Sequence, residues 1–150
     1  RHVNDYALRG LPVIRDRLPG FAGPLAGLHT ALSHAHTPLV LTVPCDTPCP
    51  PADLVARLWH GMQVSGQPLA IAHTEGRPHP VFCLCQRTCL HSLEDFLHAG
   101  GRKVLAWCVE QGYARVDFDD QTHAFLNINQ PADLADAERA LQAQLPRQHR

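Results

Sequence analysis

The run of residues 38–43, Pro-Leu-Val-Leu-Thr-Val, constrains the fold of this chain more than any other feature. It is apolar and rich in β-branched residues without polar alternation, a pattern typical of a strand covered on both faces in a parallel sheet. The run stops at residues 44–48, Pro-Cys-Asp-Thr-Pro. Strands of this kind lie between layers of helices, so helical patterns are expected on either side of the run.

Helical and strand-like patterns alternate along the rest of the chain. Apolar residues at three- and four-residue steps predict helices that begin after Pro24, lie between Pro51 and Gly66, and span residues 90–98, 103–111 and 131–145. Short apolar runs predict strands at residues 11–14, 69–72, 81–85, 114–118 and 124–128. The turn-like residues 75–80 separate two of these strands, which are expected to pair as a hairpin.

The second helix is expected to bury one apolar face, made of Leu54, Val55, Leu58, Trp59 and Met62. Strands that alternate with helices predict an α/β fold with a mainly parallel sheet. A length of 150 residues corresponds to about one domain, so residues 1–150 are expected to form a single domain.

Charge and hydropathy exclude several classes of partner. The chain has 13 Lys and Arg against 14 Asp and Glu, a net charge of -1, and its longest basic run is the pair Arg102 and Lys103. Nucleic-acid and membrane-surface binding usually require a basic patch, so neither is expected. The apolar residues 39–43 are far shorter than the roughly 18 residues of a membrane span, and no signal-like region opens the chain. We therefore expect a soluble, cytoplasmic protein.

The six cysteines contain no Cys-x-x-Cys pair. The nearest approach to a metal cluster is Cys83, Cys85, Cys89 and His91, but the first two alternate along a predicted strand. Tetrahedral zinc sites favour tighter spacings on turns, whereas a free cysteine commonly behaves as a small buried hydrophobe. Reduced, buried thiols are the expectation, and a zinc site is the alternative.

Polar residues follow three of the predicted strands, and ligands in α/β sheets bind at the carboxyl ends of strands. These residues are Asp16, Asp46 and the pair Asn127 and Asn129. Asp46 lies between two prolines directly after residues 38–43, where it could share Mg²⁺ with a phosphate or could form an Asx turn. For Asp16 the same two interpretations are open, and the residues by themselves favour a surface turn carboxylate over a ligand contact. A helix cap explains one asparagine of the pair but not both.

Other candidates leave a structural and a functional interpretation open. Residues 23–27, Gly-Pro-Leu-Ala-Gly, could present backbone amides to an anion at a helix start, or could provide close helix packing. His79 could face a substrate or be an ordinary loop histidine. Arg102 and Lys103 could contact an acidic ligand or be a solvated pair at the start of a helix.

Five segments together resemble the molybdenum cofactor guanylyltransferase family: residues 23–28 (GPLAGL), 44–48 (PCDTP), 50–54 (PPADL), 79–80 (HP) and 127–134 (NINQPADL). Their order and intervals also match, and the resemblance covers nearly the whole chain. It implies a three-layer α/β/α nucleotidyltransferase fold related to the Rossmann type. It also implies transfer of GMP from GTP to the phosphate of molybdopterin, with release of pyrophosphate and with Mg²⁺ as cofactor.

The resemblance implies roles residue by residue. By position, Asp46 matches an aspartate that binds the metal and contacts GTP, and Asp16 matches one that contacts the nucleotide. Asn127 and Asn129 match the motif at the mouth of the site, where one of them would complete the metal environment. The molybdopterin side would carry His79, Arg102 and Lys103. The implied partners are GTP, molybdopterin, other proteins of molybdenum cofactor biosynthesis and the target apo-enzymes.

The chain departs from the family at its start. Members begin with a strand and a Gly-rich loop, Leu-Ala-Gly-Gly, followed by Arg-Met-Gly-Gly and a lysine, and this segment cradles the nucleotide phosphates. The sequence does not contain it. We therefore expect a domain that lacks its first strand, loop and helix and is inactive alone. A CTP-using cytidylyltransferase and a non-catalytic remnant that binds molybdopterin or a partner are the alternatives.

Overall fold

Strands and helices alternate through the part of the chain that the computed structural model describes, residues 13–14 and 23–127. The α-helices are α1 (Pro24–His34), α2 (Leu54–Ser65), α3 (Leu90–His98) and α4 (Val104–Gln111). The strands are β1 (Leu39–Thr42), β2 (Leu69–Thr74), β3 (Arg77–Gln86) and β4 (Ala114–Asp117). Two 3₁₀ helices span Arg87–Cys89 and Asp119–Phe125.

The four described strands form one sheet in the order β1-β3-β2-β4. β3 is antiparallel to both β1 and β2, and β2 is parallel to β4. β1, β2 and β4 therefore run in the same direction, as expected for a mainly parallel sheet, while β3 makes two of the three pairings antiparallel. The α/β class and the β2–β3 hairpin are both confirmed.

The turn of this hairpin is shorter than the sequence indicates. Glu75 and Gly76 form it, both with positive φ angles, of 50° and 77°. The predicted turn is wrong for residues 77–80, because they belong to β3. Since β1 pairs only with residues 83–86, the first half of β3 has a described neighbour on one side only. Proline, which has no N–H to donate, is tolerated in a strand with a free edge.

One face of the sheet packs against α1, α3 and α4. The buried side chains of this layer include Leu32, Ile71, Leu93 and Trp107. α1 begins at Pro24, where proline is favoured because a first helical residue needs no N–H donor.

The opposite face packs against α2 and the 3₁₀ helix Asp119–Phe125. Leu58, Phe82, Phe118 and Phe125 are the large buried side chains of this layer. α2 ends at Gly66, whose φ of 69° is the left-handed conformation typical of a helix C-cap. Helices on both faces of one sheet confirm the expected three-layer α/β/α architecture.

Buried thiols belong to the first of these layers. Cys83, Cys85, Cys89 and Cys108 are free and buried in the apolar core. Hydrogen bonding to Cys108 and burial raise the pKa of the Cys83 thiol, which keeps it protonated. Within residues 13–14 and 23–127, no group of three or more His, Cys, Asp or Glu side chains is placed to hold a metal ion. The zinc alternative therefore has no support in the described structure.

Two predicted strands are absent from the described residues. Val13 and Ile14 belong to no strand and are 38% and 47% exposed, although residues 11–14 were expected to be a buried strand. Residues 124–127 form the end of a 3₁₀ helix and a coil in place of a strand. A short apolar run does not distinguish these conformations, and here Phe125 turns inward to pack with other aromatic rings.

Two predicted faces are less buried than expected. Val55 and Trp59 of α2 are 52% and 43% exposed, because only one narrow stripe of the helix meets the sheet. β1 is half-buried along its length, since it is the outer strand of the described sheet.

The predicted strand residues 11–12 and the predicted helix at 131–145 lie outside the described residues. None of the described helices is long and apolar enough to cross a membrane.

The close approach of α2 to β4 generates a stability prediction. A Cβ atom at Gly61 would lie 2.5 Å from Cγ2 of Val116. Gly61→Ala should lower the free energy of unfolding by about 1–2 kcal/mol, because overpacking costs about 1–3 kcal/mol and alanine returns about 0.5–1 kcal/mol of helix stability. Urea unfolding monitored by circular dichroism measures the change.

The matched control is Gly27→Ala in α1, where an added Cβ would meet no described atom within 4 Å. This variant should raise stability by about 0.5–1 kcal/mol. Truncating the opposing side chain in Gly61→Ala/Val116→Ala should remove the clash. Equal urea midpoints for the two single variants would contradict the packing of α2 on β4.

Candidate functional site

A cavity of about 570 Å³ opens at the carboxyl end of β1. Its walls come from the first turns of α1, the end of β1 and its following loop, the middle of β3 and the start of α4. Each of these four walls contributes one of the lining residues Gly27, Thr42, Val81 and Val104. Asp46, in the loop after β1, also lines the cavity. The cavity therefore lies where ligands bind in open α/β sheets.

The loop that carries Asp46 is fixed at its beginning. The hydroxyl of Thr42 donates to the carbonyl oxygens of Val81 at 2.9 Å and of Cys83 at 3.4 Å, which ties the end of β1 to β3. Asp46 itself is half-buried, and no residue in the described part of the chain hydrogen-bonds to its carboxylate. The Asx turn that the sequence left open is not formed there. A half-buried carboxylate with no partner in the described structure is available to a ligand.

Asn127 comes to the same loop from a distant part of the chain. The hydroxyl of Thr47 donates to Oδ1 of Asn127 at 3.2 Å, across 80 positions of sequence. Thr47 is 8% exposed and directly follows Asp46. The structure thus brings two of the predicted site residues, Asp46 and Asn127, to one loop. The other two, Asp16 and Asn129, lie outside the described residues.

Arg57 holds the segment that leads to Asn127. Its guanidinium donates to both carboxylate oxygens of Asp120, at 3.0 and 2.9 Å, and to the carbonyl of Asp117. It also lies 4.0 Å from the ring centroid of Phe118, a cation–π contact. Its hydrogen bond and charge lower the pKa of Asp120. Sequence reasoning missed Arg57, because these partners lie about 60 positions away and produce no local pattern.

His79 lies in β3, not in the turn that the sequence indicated. Its Nε2 is 2.6 Å from the hydroxyl oxygen of Thr74, and its ring centroid is 4.8 Å from that of Phe125. Burial lowers the pKa of His79, and the nearby positive charges of Arg77 and His73 lower it further. The imidazole is therefore neutral near pH 7 and supports the segment that leads to Asn127.

The two basic candidates differ in their surroundings. The Arg102 guanidinium donates to the carbonyl oxygens of Leu97 at 3.1 Å and Gly101 at 2.6 Å, at the end of α3. Arginine commonly binds the last carbonyls of a helix in this way, which favours the structural interpretation of Arg102. Lys103 is exposed and precedes Val104 of the cavity wall.

The start of α1 meets the cavity, and no described side chain caps it. Gly23 precedes the helix with a φ of 119°, and the first turn contains no acidic residue. Gly27 lines the cavity, and a Cβ there would meet no described atom within 4 Å. Packing of described residues therefore does not require this glycine. Its place at a helix N-terminus suits the approach of an anion.

Together, the fold and the site define an α/β domain with a cavity at the carboxyl end of β1, bordered by a helix N-terminus and by a carboxylate that has no partner among the described residues. The chain belongs to the family of MobA-like NTP transferase domains, which matches residues 1–115. The family expectation from the sequence is confirmed.

Curated relatives agree with the family. The chain is 45% identical over 137 residues to the molybdenum cofactor guanylyltransferase of Methylibium petroleiphilum, covering 86% of this chain and 66% of that protein. It is 44% identical over 134 residues to the enzyme of the same name from Mannheimia succiniciproducens, covering 89% and 70%. The chain thus spans about two thirds of the length of these relatives.

A solved structure supports the fold. The molybdopterin-guanine dinucleotide biosynthesis protein A of Archaeoglobus fulgidus superposes with a TM-score of 0.73 at 24% identity. The match covers 94% of this chain and 74% of that one. The likeness confirms the α/β/α fold.

The lowered pKa of His79 predicts how stability depends on pH. Because the folded protein holds the imidazole below its ordinary pKa of 6.5, the unfolded chain binds the proton first as the pH falls. The neutral imidazole of His79 therefore makes its full contribution to the free energy of unfolding above pH 6.5. This contribution is lost as the pH falls from 6.5 through the lower pKa of the folded state. His79→Gln should therefore flatten the dependence of the unfolding free energy on pH between about 5 and 7.

Chemical denaturation at a series of pH values measures this slope. His60→Gln, the same substitution at an exposed position of α2, is the control for the effect of the glutamine itself. A slope that stays unchanged in His79→Gln would show that His79 takes up its proton equally in the folded and unfolded states.

Proposed function

We propose that the protein containing this chain is a molybdenum cofactor guanylyltransferase, and that the chain supplies most of its nucleotidyltransferase domain. The observation that carries the proposal is the half-buried carboxylate of Asp46 at the cavity after β1, which has no hydrogen-bond partner among the described residues. The names of relatives about 45% identical to the chain supply the substrate class. We place the reaction in the cytoplasm.

In the proposed reaction, a phosphate oxygen of molybdopterin attacks the α-phosphorus of GTP. The new P–O bond joins GMP to the pterin phosphate, and the bond to the β-phosphate breaks so that pyrophosphate leaves. Charge builds up on phosphate oxygens throughout, so positioning and electrostatic stabilisation carry the catalysis. No side chain needs to form a covalent intermediate.

The residues present fit Mg²⁺ in its usual mode of binding. Mg²⁺ takes one or two carboxylates and completes its coordination with water and substrate phosphates. Asp46 offers one carboxylate with no competing partner among the described residues, and it borders a cavity large enough for phosphate groups. When bound, Mg²⁺ would neutralise charge on the α-phosphate. Asp46 is the residue that we propose to hold it.

The chain's other residues would bind and orient the substrates. The N-terminus of α1 would turn the positive end of its helix dipole toward phosphate oxygens. The hydrogen bonds of Thr42 to β3 would hold the start of the loop that carries Asp46. Asn127 would act at the mouth of the same site. By family resemblance, Asp16 would contact the nucleotide and Asn129 would join Asn127. We also propose molybdenum cofactor biosynthesis proteins and target apo-enzymes as partners.

Substitution of Asp46 tests the proposal in the complete gene product that contains residues 1–150. Asp46→Asn keeps the shape of the side chain but removes its charge. It should abolish the Mg²⁺ dependence of GTP binding and lower turnover by at least about 100-fold, the scale of losing one main electrostatic group. Isothermal titration with GTP, with and without Mg²⁺, and pyrophosphate release measure the two effects.

Glu110→Gln, at an exposed position of α4, removes one carboxylate far along the chain and serves as the control. It should leave both measurements unchanged. Binding of CTP in preference to GTP would replace the proposal with a cytidylyltransferase. Binding of molybdopterin without any nucleotide would indicate a non-catalytic protein.

A second prediction concerns the backbone at the start of α1. Gly27→Ala should weaken binding of GTP by about 5- to 10-fold, the scale of one weakened hydrogen bond to a charged group, because a Cβ would project into the cavity. The same variant is expected to fold more stably, so weaker binding would not reflect unfolding. Unchanged affinity would contradict a phosphate position beside Gly27.

A further inference from the structure

We propose that Thr47 is a positioning residue that holds the side-chain oxygen of Asn127, so that the Asn127 amide N–H₂ is presented to a phosphate oxygen of the substrate. The inference rests on the proposed function and deepens it. It assigns Asn127 the role of a hydrogen-bond donor to an anion, whereas the family resemblance allowed it a place beside the metal.

The contact between the two side chains has one buried and one exposed partner. Thr47 is 8% exposed, and its hydroxyl donates to Oδ1 of Asn127 at 3.2 Å. Asn127 is exposed, and the described residues offer its side chain no other hydrogen bond. An exposed asparagine with no partner would sample several rotamers. The Thr47 hydroxyl therefore selects the orientation of this carboxamide.

The backbone on both sides of the contact is restrained. Thr47 precedes Pro48, and a residue before proline is held in extended conformations. On the other side, the ring of Phe125 packs 4.7 Å from Phe82 and 5.4 Å from Phe118, measured between centroids. Because the backbone near both residues is restrained, we expect the Thr47 hydroxyl and the Asn127 carboxamide to keep their relative positions when a ligand binds.

Hydrogen-bond chemistry then determines what Asn127 offers. A carboxamide has one oxygen that accepts and one N–H₂ group that donates two hydrogen bonds. Because Thr47 already engages one of the two lone pairs of the oxygen, the group left wholly unengaged for a ligand is the donor. Donors suit phosphate oxygens and do not bind Mg²⁺, whose ligands are oxygen atoms. Asp46 would thus bind Mg²⁺, and Asn127 would bind a phosphate oxygen of the substrate.

Two kinds of phosphate could meet this donor, the triphosphate of GTP and the phosphate of molybdopterin. Steady-state kinetics on the complete gene product separates them, because KM is measured for each substrate in turn. Thr47→Val, which keeps the shape but removes the hydroxyl, should raise one of the two KM values about 10-fold with kcat changed less than about 3-fold. Thr47→Ser restores a hydroxyl and should recover that KM.

Asn127→Asp distinguishes a donor from a metal ligand. If Asn127 donates to phosphate, the aspartate brings a negative charge to the anion and raises the same KM at least as much as Thr47→Val does. If the side-chain oxygen binds Mg²⁺, the aspartate tightens the Mg²⁺ dependence instead. The second result would overturn the inference, as would Thr47→Val kinetics equal to those of the unsubstituted protein.

A readout that does not need turnover keeps this inference separate from the proposed function. In ¹⁵N relaxation measurements, the Asn127 side-chain amide should be ordered in the unsubstituted protein, mobile in Thr47→Val and ordered again in Thr47→Ser. Pyrophosphate, the product of the proposed reaction, should shift this amide resonance. An equally mobile amide in all three proteins overturns the positioning role of Thr47. Ordered amide signals in a protein that binds neither GTP nor CTP would instead reject the proposed function.

Discussion

Burial of β2 on both faces is the constraint on which the rest of the structure depends. All six residues of Leu69–Thr74 are buried, and the strand pairs with β3 on one side and β4 on the other. Removing apolar surface from water on two faces requires a helical layer on each, so α1, α3 and α4 cover one face and α2 covers the other. In this sheet β1, β2 and β4 run in the same direction. Their carboxyl ends therefore lie at one edge of the sheet, where the cavity lies.

Long-range contacts complete the site at that edge. The Arg57–Asp120 ion pair and the packing of Phe125 bring the segment after β4 back over the sheet, and the hydrogen bond between Thr47 and Asn127 joins it to the loop after β1. Because the ion pair is exposed, it contributes little to the free energy of unfolding. Its effect is to fix the path of the chain after β4. Candidate site residues from distant parts of the sequence thus meet through tertiary packing.

Prediction from the sequence succeeded where one property of a single residue or its neighbours decides the local structure. Pro24 begins α1 because it lacks an N–H, Gly66 ends α2 because it adopts positive φ, and Asp46 follows a strand in a proline-bounded loop. It failed where packing chose between conformations of similar local energy. Residues 77–80 joined β3 although they contain two prolines, and residues 124–127 formed a 3₁₀ helix and coil because Phe125 packs into the core.

The sequence by itself determined the α/β class, the family, the helices α1 to α4 and the position of Asp46 at a strand end, because each depends on neighbouring residues or on a motif. Only the tertiary structure decided that β3 lies between β1 and β2, that Arg57 holds the chain after β4 and that Thr47 bonds to Asn127. These features join residues about 40 to 80 positions apart. Such contacts follow from the packing of whole layers, which no local pattern of residues encodes.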